Sequence, residues 1–73
     1  MRTEFTIEIA SVPDRDHVVA ELWYGEEMVA ELSREVGSLR LQLYPRASSH
    51  WEFDFGRFQA ALEDMETRLS GSH

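Results

Sequence analysis

Apolar and polar residues alternate with a period of two along the first stretch of the chain. Thr3, Phe5, Ile7 and Ile9 fall in one phase, and Glu4, Thr6, Glu8 and Ala10 in the other. This is the pattern of a half-buried strand. Ser11-Val12-Pro13-Asp14-Arg15-Asp16 interrupts it, with proline suited to the second position of a turn and aspartate directly after.

Residues 17–34 admit two readings. Val-Ala-Glu-Leu occurs twice, at Val19–Leu22 and Val29–Leu32. As a helix, Met28, Val29, Leu32 and Val36 would share a face, with Gly37 closing the end. As strands, Val18, Ala20, Leu22 and Tyr24 form one apolar face, and Met28, Ala30 and Leu32 another. A three-residue loop, Gly25-Glu26-Glu27, then sets Tyr24 opposite Met28, Leu22 opposite Ala30 and Ala20 opposite Leu32. The hairpin is preferred, because it sets those two apolar faces against each other on one side of the sheet. The alanines and glutamates favour helix and keep the other reading open.

Leu39, Leu41 and Leu43 alternate with Arg40, Gln42 and Tyr44, which predicts a further strand. A four-residue connection, Arg34-Glu35-Val36-Gly37, sets Leu32 against Leu39 and Ala30 against Leu41. It also sets Arg40 against Glu31 as a favourable cross-strand pair, with Gly37 supplying a positive φ. Pro45 to His50 is a loop. Asp54 is a candidate helix N-cap, and Phe53 before it can meet Phe58 as a hydrophobic staple, although Arg57 stands where a reciprocating glutamate would complete a capping box. Phe55, Phe58, Leu62, Met65 and Leu69 follow at helical spacing, with Glu63, Asp64, Glu66 and Arg68 outside.

These elements predict an α+β fold, an antiparallel four-stranded meander with one C-terminal helix packed on one face (ββββα). The domain spans residues 1–70, with 71–73 a flexible tail or the remnant of an expression tag. The expected core is Phe5, Ile7, Ile9, Ala20, Leu22, Ala30, Leu32, Leu41, Phe58, Leu62 and Met65.

Composition narrows the chemistry. With 73 residues the chain buries only about 60% of its unfolded surface, which argues against a deep active-site cavity. Cysteine is absent and all seven basic residues are arginine. Thiolate chemistry, Schiff-base lysines and P-loop lysines are therefore excluded. Fourteen acidic residues give a net charge of −7, a field that repels nucleic-acid phosphate and attracts basic protein surfaces. No apolar run reaches the length of a membrane span, and Met1–Phe5 lacks the apolar stretch of a secretory signal. The expected setting is cytoplasmic, with no nucleic-acid or membrane partner.

No catalytic or metal constellation stands out. Asp14, Asp16 and His17 cluster in a turn but lack the ordered oxygen ligands of a calcium loop. Ser48, Ser49, His50 and Asp54 contain the residue types of a hydrolytic triad without an accompanying oxyanion-hole motif. No enzyme, cofactor or metal is therefore expected. The aromatic residues carry more. On the expected register Trp23 points away from the helix-covered face beside Val19 and Val29, with Tyr44 on the same outer face. Val19, Trp23, Val29 and Tyr44 thus form a candidate interface. Its occupant would be a second copy or a basic protein, as for a small inhibitor or immunity protein. The alternative is a small-ligand-binding protein or accessory subunit of an enzyme that uses the Tyr44–Trp51 loop, with a pocket of Tyr44, Arg46 and Trp51 near His50.

The segments Ile9–Arg15, Val19–Tyr24 and Trp51–Asp54 resemble those of a group of short bacterial proteins of unassigned role. The similarity runs from Phe5 to about Leu69. It implies a bacterial origin and brings no activity or binding residue with it.

Overall fold

The computed structural model describes residues 4–11, 18–46 and 49–71. Strands β1 (Phe5–Ser11), β2 (Val18–Tyr24), β3 (Glu27–Glu35) and β4 (Ser38–Leu43) precede a single helix, α1 (Phe55–Gly71). The sheet is antiparallel with strand order β1-β2-β3-β4. The predicted α+β meander with a C-terminal helix is therefore the observed fold, and residues 18–34 lie in β2, β3 and their turn rather than in a helix.

Pairing within the sheet follows the apolar phase. Phe5, Ile7 and Ile9 stand opposite Tyr24, Leu22 and Ala20, and Leu22 and Ala20 stand opposite Ala30 and Leu32. The turns are tighter than expected. Gly25 and Glu26 alone connect β2 to β3, so that Tyr24 faces Glu27 and Trp23 faces Met28. The register shifts between Leu22 and Trp23, leaving Val29 as one extra residue on β3. A bulge of this kind absorbs the difference between a two-residue and a three-residue loop. Gly25, at φ 65°, supplies the positive φ that a two-residue hairpin turn demands.

The connection from β3 to β4 is likewise two residues, Val36 and Gly37, with Gly37 at φ 81°. The expected positive φ is present, but the pairing slides by two. Leu32 faces Leu41, Ala30 faces Leu43 and Ser33 faces Arg40. The expected Arg40–Glu31 pair does not form, and Gln42 stands opposite Glu31 instead.

Asp54 caps α1. Its Oδ2 accepts the Arg57 backbone N–H at 3.0 Å, and its carbonyl accepts that of Phe58 at 3.0 Å. Phe53 stacks on Phe58 with ring centroids 5.4 Å apart, the expected staple. Phe53 also meets Phe5, Tyr24 and Trp51 at 4.8, 5.1 and 5.4 Å. It joins the helix start to the ends of β1 and β2. At the other end Arg34 Nη2 donates to Ser70 Oγ at 2.9 Å, and Arg68 Nη1 reaches the Ile7 carbonyl at 3.5 Å. Ser70 and Gly71 are part of the helix.

The buried core comprises Ala20, Leu22, Val29, Ala30, Leu32, Ala61, Met65 and Leu69, with Phe5, Ile7, Phe58 and Leu62 packed partly buried against it. Three expectations need correction. Ile9 and Leu41 are exposed rather than core, and Phe55 projects into solvent despite its helical phase. For Leu41 the reason is the placement of α1, which lies over β2 and β1, touches β3 least and makes no close approach to β4. All of β4 is consequently exposed.

Candidate functional site

Because Ala20, Leu22, Ala30 and Leu32 lie in the core beneath α1, alternation turns Val19, Glu21, Trp23, Glu31 and Ser33 to the opposite, helix-free face. On that face the register lines up Glu8 of β1, Glu21 of β2 and Glu31 of β3 side by side, with Gln42 of β4 completing the row. Directly opposed residues of antiparallel strands bring their Cβ atoms within about 4.5–5.5 Å. Glu21 and Glu31 are half-buried and Glu8 is exposed. Trp23 adjoins the row on β2, and its Nε1 donates to Glu21 Oε1 at 3.1 Å. Three adjacent carboxylates, with a half-buried indole beside them, make a surface suited to accept hydrogen bonds from guanidinium or ammonium groups at the carboxylate oxygens.

The expected interface set is redistributed. Trp23 lies on the open face, but Val19 is 0% exposed and Val29 only 2% exposed, so the chain itself already removes both from water. Val29 belongs to the core cluster. Tyr44 is half-buried just beyond β4, where its N–H donates to the Val29 carbonyl and its own carbonyl accepts from Trp51 Nε1, both at 2.9 Å. The glutamate row escaped sequence reasoning because the four-residue connection placed Arg40 beside Glu31. The outward phase of Glu8, Glu21 and Glu31 was legible, and a two-residue turn at Val36-Gly37 would have aligned Glu31 with Gln42.

In the loop expected to hold a small ligand, Arg46 is engaged by both an aromatic ring and a carboxylate. The Arg46 guanidinium sits 4.7 Å from the centre of the Trp51 ring, and its Nε pairs with Glu27 Oε2 at 3.2 Å. A concavity of about 580 Å³ lies elsewhere, between β1 and the first half of α1. Phe5, Tyr24 and Phe53 contribute aromatic lining, and Glu4, Glu52, Asp54 and Asp64 surround it with carboxylates, Arg57 being the one cation among the described residues that line it.

Nothing in the remaining polar loop assembles a catalytic array among the described residues. Ser49 Oγ donates to the His50 carbonyl at 3.1 Å, His50 Nε2 lies 3.5 Å from Glu52 Oε1, and Asp54 is committed to the helix cap. Asp14, Asp16, His17 and Ser48 lie outside the described residues. Among those described, no group of three His, Cys, Asp or Glu side chains could hold a metal ion, and no helix is long and apolar enough to cross a membrane. No protein-family model, curated protein or solved structure matches the chain.

Proposed function

We propose that this chain is a non-enzymatic, cytoplasmic binding module whose open sheet face receives a basic protein partner, in the manner of a small acidic inhibitor or immunity protein. The observation that carries this reading is the row Glu8–Glu21–Glu31. Like charges directly opposite one another oppose strand pairing, and sheet formation does not require them. A partner's arginine or lysine side chains inserted along the row relieve that repulsion and form charge-assisted hydrogen bonds. Trp23 beside the row supplies the large aromatic contact typical of interface hot spots, and the net charge of −7 accelerates encounter with a basic surface. The test is an NMR titration with an arginine-rich peptide. Amide shifts should concentrate on Glu21, Trp23 and Glu31 and fade as salt is added.

The groove between β1 and α1 favours a second reading, a small cationic ligand with an apolar body, because carboxylates there surround an aromatic floor. Shifts centred on Phe5, Phe53 and Ala61 in a screen of such ligands, with the sheet face unmoved, would favour it.

A further inference from the structure

We propose that β4 is a self-association edge, pairing antiparallel with β4 of a second copy about a twofold axis through Leu41. This goes beyond the open face and does not depend on it. Leu39, Leu41 and Leu43 retain 36%, 41% and 63% of their surface exposed on the side of the sheet where α1 lies. They are exposed because α1 stops short of β4, and β4 is the last strand of the sheet. Alternation sets which backbone groups face outward. Tyr44 N–H donates back to Val29 on β3, so Gln42 and Arg40 also turn toward β3, while the N–H and C=O groups of Leu39, Leu41 and Leu43 point away from it.

Those outward groups select a second copy of this same strand. With Leu41 opposite Leu41, Leu39 faces Leu43 of the other copy and Arg40 faces its Gln42. Every leucine then meets a leucine on one face, no charge meets its like on the other, and the three outward residues become the hydrogen-bonded pairs. Sliding the register by one step along each strand to centre it on Arg40 would oppose two arginines. Among the described strands β4 is also the one without an acidic residue, so it is the strand of this acidic chain least repelled by its own copy. The interface is isologous, as a twofold dimer requires, and uses main-chain pairing as in strand addition. Five paired residues per copy bury well under the roughly 800 Å² per partner of a standard complex, which makes the dimer weak and concentration-dependent.

The chain has no cysteine, so Leu41→Cys introduces a single thiol. Hydrogen-bonded antiparallel partners lie about 5.5 Å apart at Cα, a separation that a disulfide spans. Under diamide, Leu41→Cys should crosslink much faster than Val36→Cys, whose thiol sits on the exposed turn. Sedimentation of the wild type from micromolar to millimolar concentration should show reversible dimerisation. Leu41→Arg should weaken it about tenfold or more with an unchanged circular dichroism spectrum. A wild type that stays monomeric throughout, or equal crosslinking by the two cysteine variants, overturns the proposal. Should Leu41→Arg fail to fold, the crosslinking comparison still decides. No basic partner enters these measurements, so their failure leaves the reading of the open face standing, and its failure leaves this one.

Discussion

Glu31 on β3 stands directly opposite Glu21 on β2, while Glu8 on β1 stands opposite Glu21 from the other side. Glu21 is therefore flanked by carboxylates on both neighbouring strands, and its hydrogen bond from Trp23 Nε1 holds it within the row. Replacing Glu31 with glutamine removes one like-charge opposition and leaves the side chain's shape unchanged. The expected effect of Glu31→Gln is a gain in stability of roughly 0.2–1 kcal/mol, read from urea unfolding. A loss would mean that Glu31 has an unrecognised favourable partner within the fold.

The helix start depends on one side chain. Asp54 Oδ2 accepts the Arg57 N–H at 3.0 Å, one of the amide groups that a helix leaves without an internal partner. Asp54→Ala should cost roughly 0.5–2 kcal/mol, while Asp54→Ser, which retains a capping oxygen, should recover most of it. Thermal melts of the two variants separate capping from a role in the adjacent groove, where ligand binding rather than stability would respond.

Core substitutions should differ along α1. Met65 is fully buried, whereas Leu62 is half-buried at the margin of the cluster. Met65→Ala should therefore cost about 2–5 kcal/mol through lost burial and the cavity left behind, and Leu62→Ala distinctly less. Chemical denaturation measures both. Equal losses would indicate that the helix sits rotated about its axis relative to the sheet.

The architecture was readable because each strand shows its own period-two phase and the helix carries a cap, a staple and a 3.6-residue stripe. Register was harder to read, for a definite reason. A slip of two residues between β3 and β4 keeps every side chain on its face, so the apolar pattern accepts Leu32 opposite Leu39 as readily as the observed Leu41. The bulge at Val29 similarly trades loop length against strand irregularity while leaving Leu22 opposite Ala30. These two features decide which polar residues are neighbours on the open face, which is why the apolar pattern alone pairs Glu31 with Arg40 where the fold pairs it with Gln42. The exposure of Leu41 had no local signal at all, since it depends on where a helix distant in sequence crosses the sheet.

Trp23 allows the open face to be tested separately from the β4 edge. Its half-buried indole lies outside the core cluster, so Trp23→Ser should leave the fold intact by circular dichroism while weakening partner binding. The salt response of that binding is diagnostic, because an interface of carboxylates with cations loses affinity as ionic strength rises. Association through β4 should instead strengthen, as salt screens the repulsion between two chains of charge −7. Sedimentation at low and high salt, with and without an arginine-rich peptide, resolves the opposite trends.

The most direct measurement of the open-face reading is affinity capture from a lysate of the organism that encodes the chain. It would compare the wild type with a triple variant, Glu8→Gln, Glu21→Gln and Glu31→Gln. The variant keeps the size and hydrogen-bonding capacity of the row and removes its charge. The wild type should retain a basic protein that elutes with salt. The variant, at least as stable as the wild type, should hold that protein about tenfold more weakly or worse, given the strength of charge-assisted hydrogen bonds. A protein retained equally by both, a complex indifferent to salt, or no retained protein at all would contradict the assignment of this face to a basic partner.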